Sequence, residues 1–235
     1  LLLITAYLIV AVTVFNTKPA DQTCKGMELI INDSIDHGFI TQKEVLRLLN
    51  SKKLSPIGKK MGDINTRLLE DELSKHPLIE NVECYRTPGR KIGIEVTQRL
   101  PLLRVMAANG DNYYIDSKGK VMPIPNSSAH VAVVTGSVDR DFATKELYKL
   151  GIFLQNHPLW EAQIEQINVT PAKELELVPR VGEHIIFLGK PGDYEEKFER
   201  LKIFYKKGLN QVGWNKYSRI SLEFSNQIIC TKKEK

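Results

Sequence analysis

The sequence predicts an α+β protein with an apolar N-terminal segment, a small strand–helix–helix–strand–strand unit and a larger, mostly antiparallel β-domain carrying two helices. Three observations lead there. Residues 1–15 hold ten Leu, Ile, Val or Phe side chains and no charge. Two short stretches, Thr41–Leu49 and Ile64–Leu73, repeat apolar residues at helical spacing. After residue 100, short alternating runs separated by Gly, Pro, Asn and Asp dominate, and these read as strands joined by turns.

The apolar run comes first. At about −0.3 to −0.6 kcal/mol each, its ten large side chains favour a bilayer by roughly 3 to 6 kcal/mol. A helix of that length covers only about 22 Å of the roughly 30 Å hydrocarbon core. The run is therefore expected to be a partial transmembrane helix whose first half-turns precede Leu1. A signal peptide is the rival reading, but Phe15-Asn16-Thr17-Lys18-Pro19-Ala20 offers no small-x-small cleavage site. A buried core helix would carry a polar stripe, and only Thr5, Tyr7 and Thr13 break this run. No second apolar run of spanning length follows, which puts everything after a linker at 16–24 on one side of a membrane. Charge cannot name that side, because the flank preceding the run is not in the sequence.

Composition narrows the function classes. The chain is 42% hydrophobic and 26% charged, as one or two globular domains are. The net charge of +5 is modest and its lysines are dispersed. No cluster of Arg and aromatic residues offers a base-stacking platform, so nucleic acid is not an expected partner. Cys24, Cys84 and Cys230 form neither a CxxC pair nor zinc spacing, and they leave the redox compartment open. No cofactor motif is present and none is expected.

Residues 25–99 form the first unit. Met27–Ile31 reads as a strand, and Thr41 with Glu44 makes a capping box that satisfies orphan amides at a helix start. Val45, Leu48 and Leu49 give that helix one buried face. The lysine-rich stretch Ser51–Gly62 carries Pro56, Gly58 and Gly62, which separate it from a second helix with Leu68, Leu69 and Leu73 inward. His76-Pro77 ends the second helix. Ile79, Val82 and Cys84, then Ile92, Ile94 and Val96, read as two strands around the turn Thr87-Pro88-Gly89-Arg90. One sheet face must bury both helical stripes.

Residues 100–235 form the second unit. Leu103, Val105 and Ala107 alternate up to Asn109-Gly110, a pair suited to a hairpin turn. Tyr113 and Ile115 lead into Ser117-Lys118-Gly119, and Val131, Val133 and Val134 mark another strand. Asp141–Asn156 reads as a helix carrying Leu147, Leu150 and Leu154, ended by Pro158. Ile164–Val169, Leu175–Val181 and His184–Leu188 follow as strands. Asp193 and Glu196 are placed to cap a second helix bearing Phe198, Leu201, Phe204 and Tyr205. Arg219–Phe224 alternates again, as an edge strand or a core strand, and the terminal segment Tyr217–Cys230 is the natural sheet edge. In that strand Ile220, Leu222 and Phe224 would pack inward.

Catalysis finds little support. Asp111, Asp116, Asp139 and Asp141 stand in turn contexts, where Asp bonds its own backbone. His37, His76, His130, His157 and His184 are scattered without paired-ligand spacing, and no nucleophile elbow or phosphate loop is present. The chain is therefore expected not to be an enzyme.

Lys75-His76-Pro77-Leu78-Ile79-Glu80-Asn81-Val82 feeding the hairpin resembles a POTRA domain. Thr97-Gln98-Arg99-Leu100-Pro101 and Tyr114-Ile115-Asp116-Ser117-Lys118-Gly119-Lys120-Val121 resemble the bacterial division family FtsQ/DivIB. The likeness continues through Leu175-Glu176-Leu177-Val178-Pro179 and Gly182 to Asn226-Gln227-Ile228-Ile229-Cys230. It implies a single-pass protein of the inner (plasma) membrane, with a POTRA domain and β-domain outside the cytoplasm. It implies a non-catalytic scaffold for septal peptidoglycan synthesis that binds FtsB/DivIC-like and FtsL-like partners. The matching partner-binding positions are Glu223, Phe224, Ser225 and Asn226. A POTRA-type translocation receptor and an extracytoplasmic hydrolase are the alternatives. The first would carry repeated POTRA units or a membrane barrel, and the second would bring Asp111, Asp116 and His184 together.

Overall fold

The computed structural model describes Thr5, Tyr7 and residues 21–32, 38–125 and 127–234. The transmembrane helix expected over residues 1–15 lies outside the described residues, apart from Thr5 and Tyr7, as does linker 16–20. Among the described residues no helix is long and apolar enough to cross a membrane. The chain divides into two compact units, residues 1–99 and residues 100–235.

The first unit follows the predicted order: β1 (Gly26–Asn32), α1 (Gln42–Ser51), α2 (Thr66–Leu73), β2 (Ile79–Arg86) and β3 (Lys91–Gln98). The capping box at α1 is complete, with Thr41 and Glu44 bonding each other's main chain. Asn65 caps α2 by accepting from the Leu68 N–H. The sheet runs β1-β3-β2, with β1 parallel and β2 antiparallel to the central β3. Val45, Leu49, Leu69 and Leu73 from the helices close over Val82, Cys84, Ile92, Ile94 and Val96. Leu68 does not join them. It is 43% exposed, because Leu69 and Leu73 sit at i and i+4 and already cover the sheet.

The second unit begins two residues after β3. Its strands are β4 (Pro101–Ala107), β5 (Asn112–Asp116), β6 (Val121–Met122), β7 (Val133–Gly136), β8 (Ile164–Val169), β9 (Leu175–Pro179), β10 (Ile185–Gly189), β11 (Tyr217–Ser221) and β12 (Ile229–Lys232). A long helix, α3, covers residues 140–155 through a π-helical turn at Ala143–Leu147, and α4 (Pro158–Gln163) follows at once. The second long helix, α5, covers residues 194–212, with a π turn at Tyr205–Leu209. All nine strands form one sheet in the order β12-β11-β10-β9-β8-β7-β4-β5-β6.

Five of the eight pairings in this sheet are antiparallel, in line with the expected mostly antiparallel domain, but the sheet is mixed. Three of its pairings are parallel: β4 with β7, β7 with β8, and β10 with β11. Helices cause two of these. A chain that leaves β7 through α3 and α4, or β10 through α5, returns to the end it started from and runs the same way again. Alternation within a strand carries no direction, so the pattern could not reveal this.

Both helices pack on one sheet face. Leu147, Leu150, Phe153, Leu154, Phe198 and Leu201 meet Val105, Ile167, Leu177, Ile186 and Ile220 there. Gly151 is where α3 lies closest to β4, since a Cβ would stand within 3 Å of Leu102 and Leu103. Two local expectations change. Asp193 precedes α5 with φ of 53° and makes no side-chain cap bond, because the left-handed backbone turns its carboxylate away from the helix amides. The strand expected over Arg219–Phe224 ends at Ser221.

Candidate partner-binding edge

The edge is built by the last fifteen described residues. Ile220 and Leu222 are fully buried, so β11 is fixed from below by the core. The Leu222 N–H then donates to the Phe187 carbonyl at 2.8 Å, and the chain leaves the sheet. It turns through residues 223–228 and comes back as β12, antiparallel to β11, with Ile220 opposite Cys230 and Ser221 opposite Ile229. On its far side β12 has no neighbouring strand among the described residues.

The direction of its donors follows from one bond. The Lys233 N–H donates to the Lys216 carbonyl at 3.1 Å, toward β11. The register shift beside it lies on the β11 side, between Tyr217 and Arg219, and β12 itself pairs without a skip. Backbone groups alternate along a strand, so the N–H groups of Thr231 and Ile229 also face β11. Those of Cys230 and Lys232 face outward. They are the donors an added strand would use.

The four positions singled out from the sequence do not lie on the edge strand. Glu223, Phe224, Ser225 and Asn226 form the exposed turn between β11 and β12. Phe224, expected to pack inward, is 46% exposed, because the chain has already left the sheet at Leu222. The structure brings the four together as one loop. Their order in the sequence was legible, but their departure from the strand was not.

A residue that pattern reading missed holds this loop. Arg200 on α5 donates to the carbonyls of Leu222 at 3.1 Å and Gln227 at 3.2 Å, and also to that of Phe224. Glu196, one turn earlier, stands 3.6 Å from its guanidinium. The planar fork suits three carbonyls of a curved loop in a way a lysine would not. Between loop and helix lies a groove of about 450 Å³, lined chiefly by Ile203, Phe204 and Gly208 of α5 and by Asn226, Gln227 and Ile228. Ile203 is 47% exposed at its rim. Arg200 lies in the first half of α5, on the face that also carries Phe204, and only the fold shows what it reaches.

On the sheet face opposite the helices, β11 is tied inward by a polar ladder. Arg219 donates to Glu176 at 2.8 Å, and Asn168 donates to the same carboxylate at 2.9 Å. Arg219 also lies over the Phe187 ring, 4.2 Å from its centre. Burial pushes the Glu176 carboxyl up, but the bonds from Asn168 and Arg219 and the Arg219 charge outweigh it and leave it below its ordinary value. Glu176 is thus ionised and paired at neutral pH. Burial pushes the Cys230 thiol up, away from the reactive thiolate.

The three residues that a hydrolase would bring together, Asp111, Asp116 and His184, lie apart. The Asp116 carboxylate accepts from the N–H groups of Lys118 and Lys120 at 2.9 and 2.7 Å, inside its own turn. Asp111 exchanges bonds with Asn109 in the preceding turn. His184 is buried at the start of β10, with Nε2 2.8 Å from the Tyr205 hydroxyl. β5 and β10 are five positions apart in the sheet, roughly 24 Å at the usual strand spacing. These residues therefore cannot act on one substrate atom. Among the described residues no three acidic, His or Cys side chains are grouped to hold a metal ion.

Comparison with known proteins agrees with this architecture. A model described as FtsQ/DivIB, C-terminal related, matches residues 100–231, more than half of the chain. The chain belongs to the FtsQ/DivIB family. A POTRA-like domain model matches residues 22–97. Among curated relatives, the cell division protein FtsQ of Geotalea daltonii is 25% identical over 187 residues, covering 74% of this chain and 66% of that one. The protein of the same name from Rhodothermus marinus is 25% identical over 196 residues, covering 73% and 67%. That from Myxococcus fulvus is 27% identical over 171 residues, covering 67% and 57%. The chain thus spans about two thirds or less of the length of these relatives.

Proposed function

We propose that this chain is a non-catalytic scaffold of the bacterial division machinery that helps coordinate septal peptidoglycan synthesis. Its N-terminal run anchors it in the plasma membrane, and both units lie outside the cytoplasm. The β12 edge receives a strand from an FtsB/DivIC-like partner, itself paired with an FtsL-like protein. Glu223, Phe224, Ser225 and Asn226 flank that strand, and Phe224 supplies an aromatic side chain beside it.

The observation that carries this reading is the free edge of β12, where the outward N–H groups of Cys230 and Lys232 stand next to an apolar groove. Strand addition supplies affinity through the main chain, and neighbouring pockets supply specificity. Family membership supports the division context. The test is titration of an FtsB/DivIC-like ectodomain against the full chain in nanodiscs. Lys232→Pro removes an outward donor and is expected to weaken binding tenfold or more, about 1.4 kcal/mol. Phe224→Ala is expected to cost about 2 kcal/mol, roughly thirtyfold. Equal affinity for wild type and both variants, all folded by circular dichroism, contradicts the assignment.

A further inference from the structure

Separate backbone segments of the POTRA-like unit meet where the chain enters β1. The Cys24 N–H donates to the Lys59 carbonyl at 2.8 Å, and the Gly58 N–H donates back to the Cys24 carbonyl at 2.9 Å. Thr23 and Lys60 are antiparallel bridge partners. The Lys25 N–H donates to the Arg90 carbonyl at 2.8 Å. Lys25, from the entry segment, Lys59 and Lys60, from the α1–α2 loop, and Arg90, from the β2–β3 turn, are thereby gathered at one end of the sheet. The three lysines are exposed and Arg90 is half-buried. None of the four makes an ion pair among the described residues. Asp21 and Asp63 are the acidic residues of the same stretches, so the cluster stays positive.

An apolar side chain stands in the same place. Pro56 is buried and Gly58 adopts φ of 79°, and the turn between them leaves Ile57 53% exposed beside Lys59. The cluster is also tethered. Cys24 lies nine positions after Phe15, the end of the apolar run. A chain of that length spans at most about 30 Å, so a membrane-inserted run holds this end of the unit within reach of the lipid surface.

We propose that this end of the POTRA-like unit docks on anionic phospholipid headgroups, with Lys25, Lys59, Lys60 and Arg90 against the phosphates and Ile57 at the headgroup boundary. The inference rests on the reading that residues 1–15 enter the membrane. Each basic residue near a negatively charged leaflet is favoured by a factor of about five. An exposed apolar residue flanked by cations is the arrangement that such an interface retains.

The test uses the full chain in nanodiscs of phosphatidylcholine alone or with added phosphatidylglycerol, and reads lysine acetylation rates by mass spectrometry. Lys25, Lys59 and Lys60 are expected to react about fivefold more slowly in the anionic discs only, with exposed Lys43 on α1 unchanged as the reference. Lys59→Glu with Lys60→Glu, both at exposed positions, is expected to release Lys25 from protection. Equal rates in the two lipids, or equal protection in both, overturns the docking proposal. A chain that does not enter the discs overturns the anchoring reading and the docking with it.

Discussion

The nine-stranded sheet ends differently at its two edges. At one edge β6 is two residues long, and its tight turn back to β5 is closed by Asp116. Pro123 and Pro125 follow at once, so the chain beyond β6 has few donors for a further strand. At the other edge β12 pairs through four residues, contains no Pro, and points two N–H groups outward. Short strands, prolines and lysines are all ways in which sheets avoid unwanted pairing, but only proline removes the donor itself. β12 carries Lys232, with Lys233 just after it, so its donors remain in place. Among the described residues one edge is shielded and the other presents unpaired donors, the contrast on which the proposed strand addition rests.

The first way to break the comparison is to unseat the usable edge. Leu222→Asp buries an unpaired charge under β11 and is expected to cost about 3 to 5 kcal/mol, a large part of a domain's stability. Val121→Asp on β6, where the side chain is 37% exposed, should change the melting temperature little, within about 0.5 kcal/mol. Thermal melts of the two variants check the contrast.

Proline substitution along β12 sharpens it. Thr231→Pro removes a donor to β11 and is expected to loosen the strand in the free protein, by roughly 3 kcal/mol. Cys230→Pro removes an outward donor, so it should leave the melting curve nearly unchanged and reduce partner affinity. Similar effects of both variants on stability would show that the donor directions are wrong.

Arg200→Ala comes next. It leaves the carbonyls of Leu222, Phe224 and Gln227 without their donor and should cost about 1.5 to 3 kcal/mol, seen as faster amide exchange across residues 223–228. A smaller effect is expected from pH. Burial holds the His184 imidazole below its ordinary value of 6.5, with its interaction toward the Trp214 main-chain carbonyl pulling the other way. A depressed folded-state value means that His184 favours the folded state above pH 6.5, and that this stability is lost as the pH falls through the lower folded value. Melting temperature should therefore fall on acidification below about 6.5, and His184→Gln should flatten that part of the curve.

The sequence was most legible where local signals agree. In the first unit the capping box, the Leu69 and Leu73 stripe and the alternation of Ile92, Ile94 and Val96 lead to one arrangement, and the structure has it. In the second unit the helices and most strands were also readable, because Pro158, Gly110 and Gly182 mark their ends. Strand direction was not readable, since the parallel pairs depend on which helix crosses over. The end of the strand carrying the candidate positions was not legible. Ile220, Leu222 and Phe224 alternate without a break, yet the strand ends at Ser221, and the carbonyls of Leu222 and Phe224 accept instead from Arg200, 22 and 24 residues upstream. A contact that long in sequence leaves no periodic trace.

Amide hydrogen exchange at Cys230 and Lys232, with and without a saturating FtsB/DivIC-like ectodomain, tests the central claim most directly. The expected result is strong slowing at these two amides on binding, about tenfold or more, with no change at Val121 and Met122 on the opposite edge. Unchanged exchange at Cys230 and Lys232 in a saturated complex would contradict strand addition at β12.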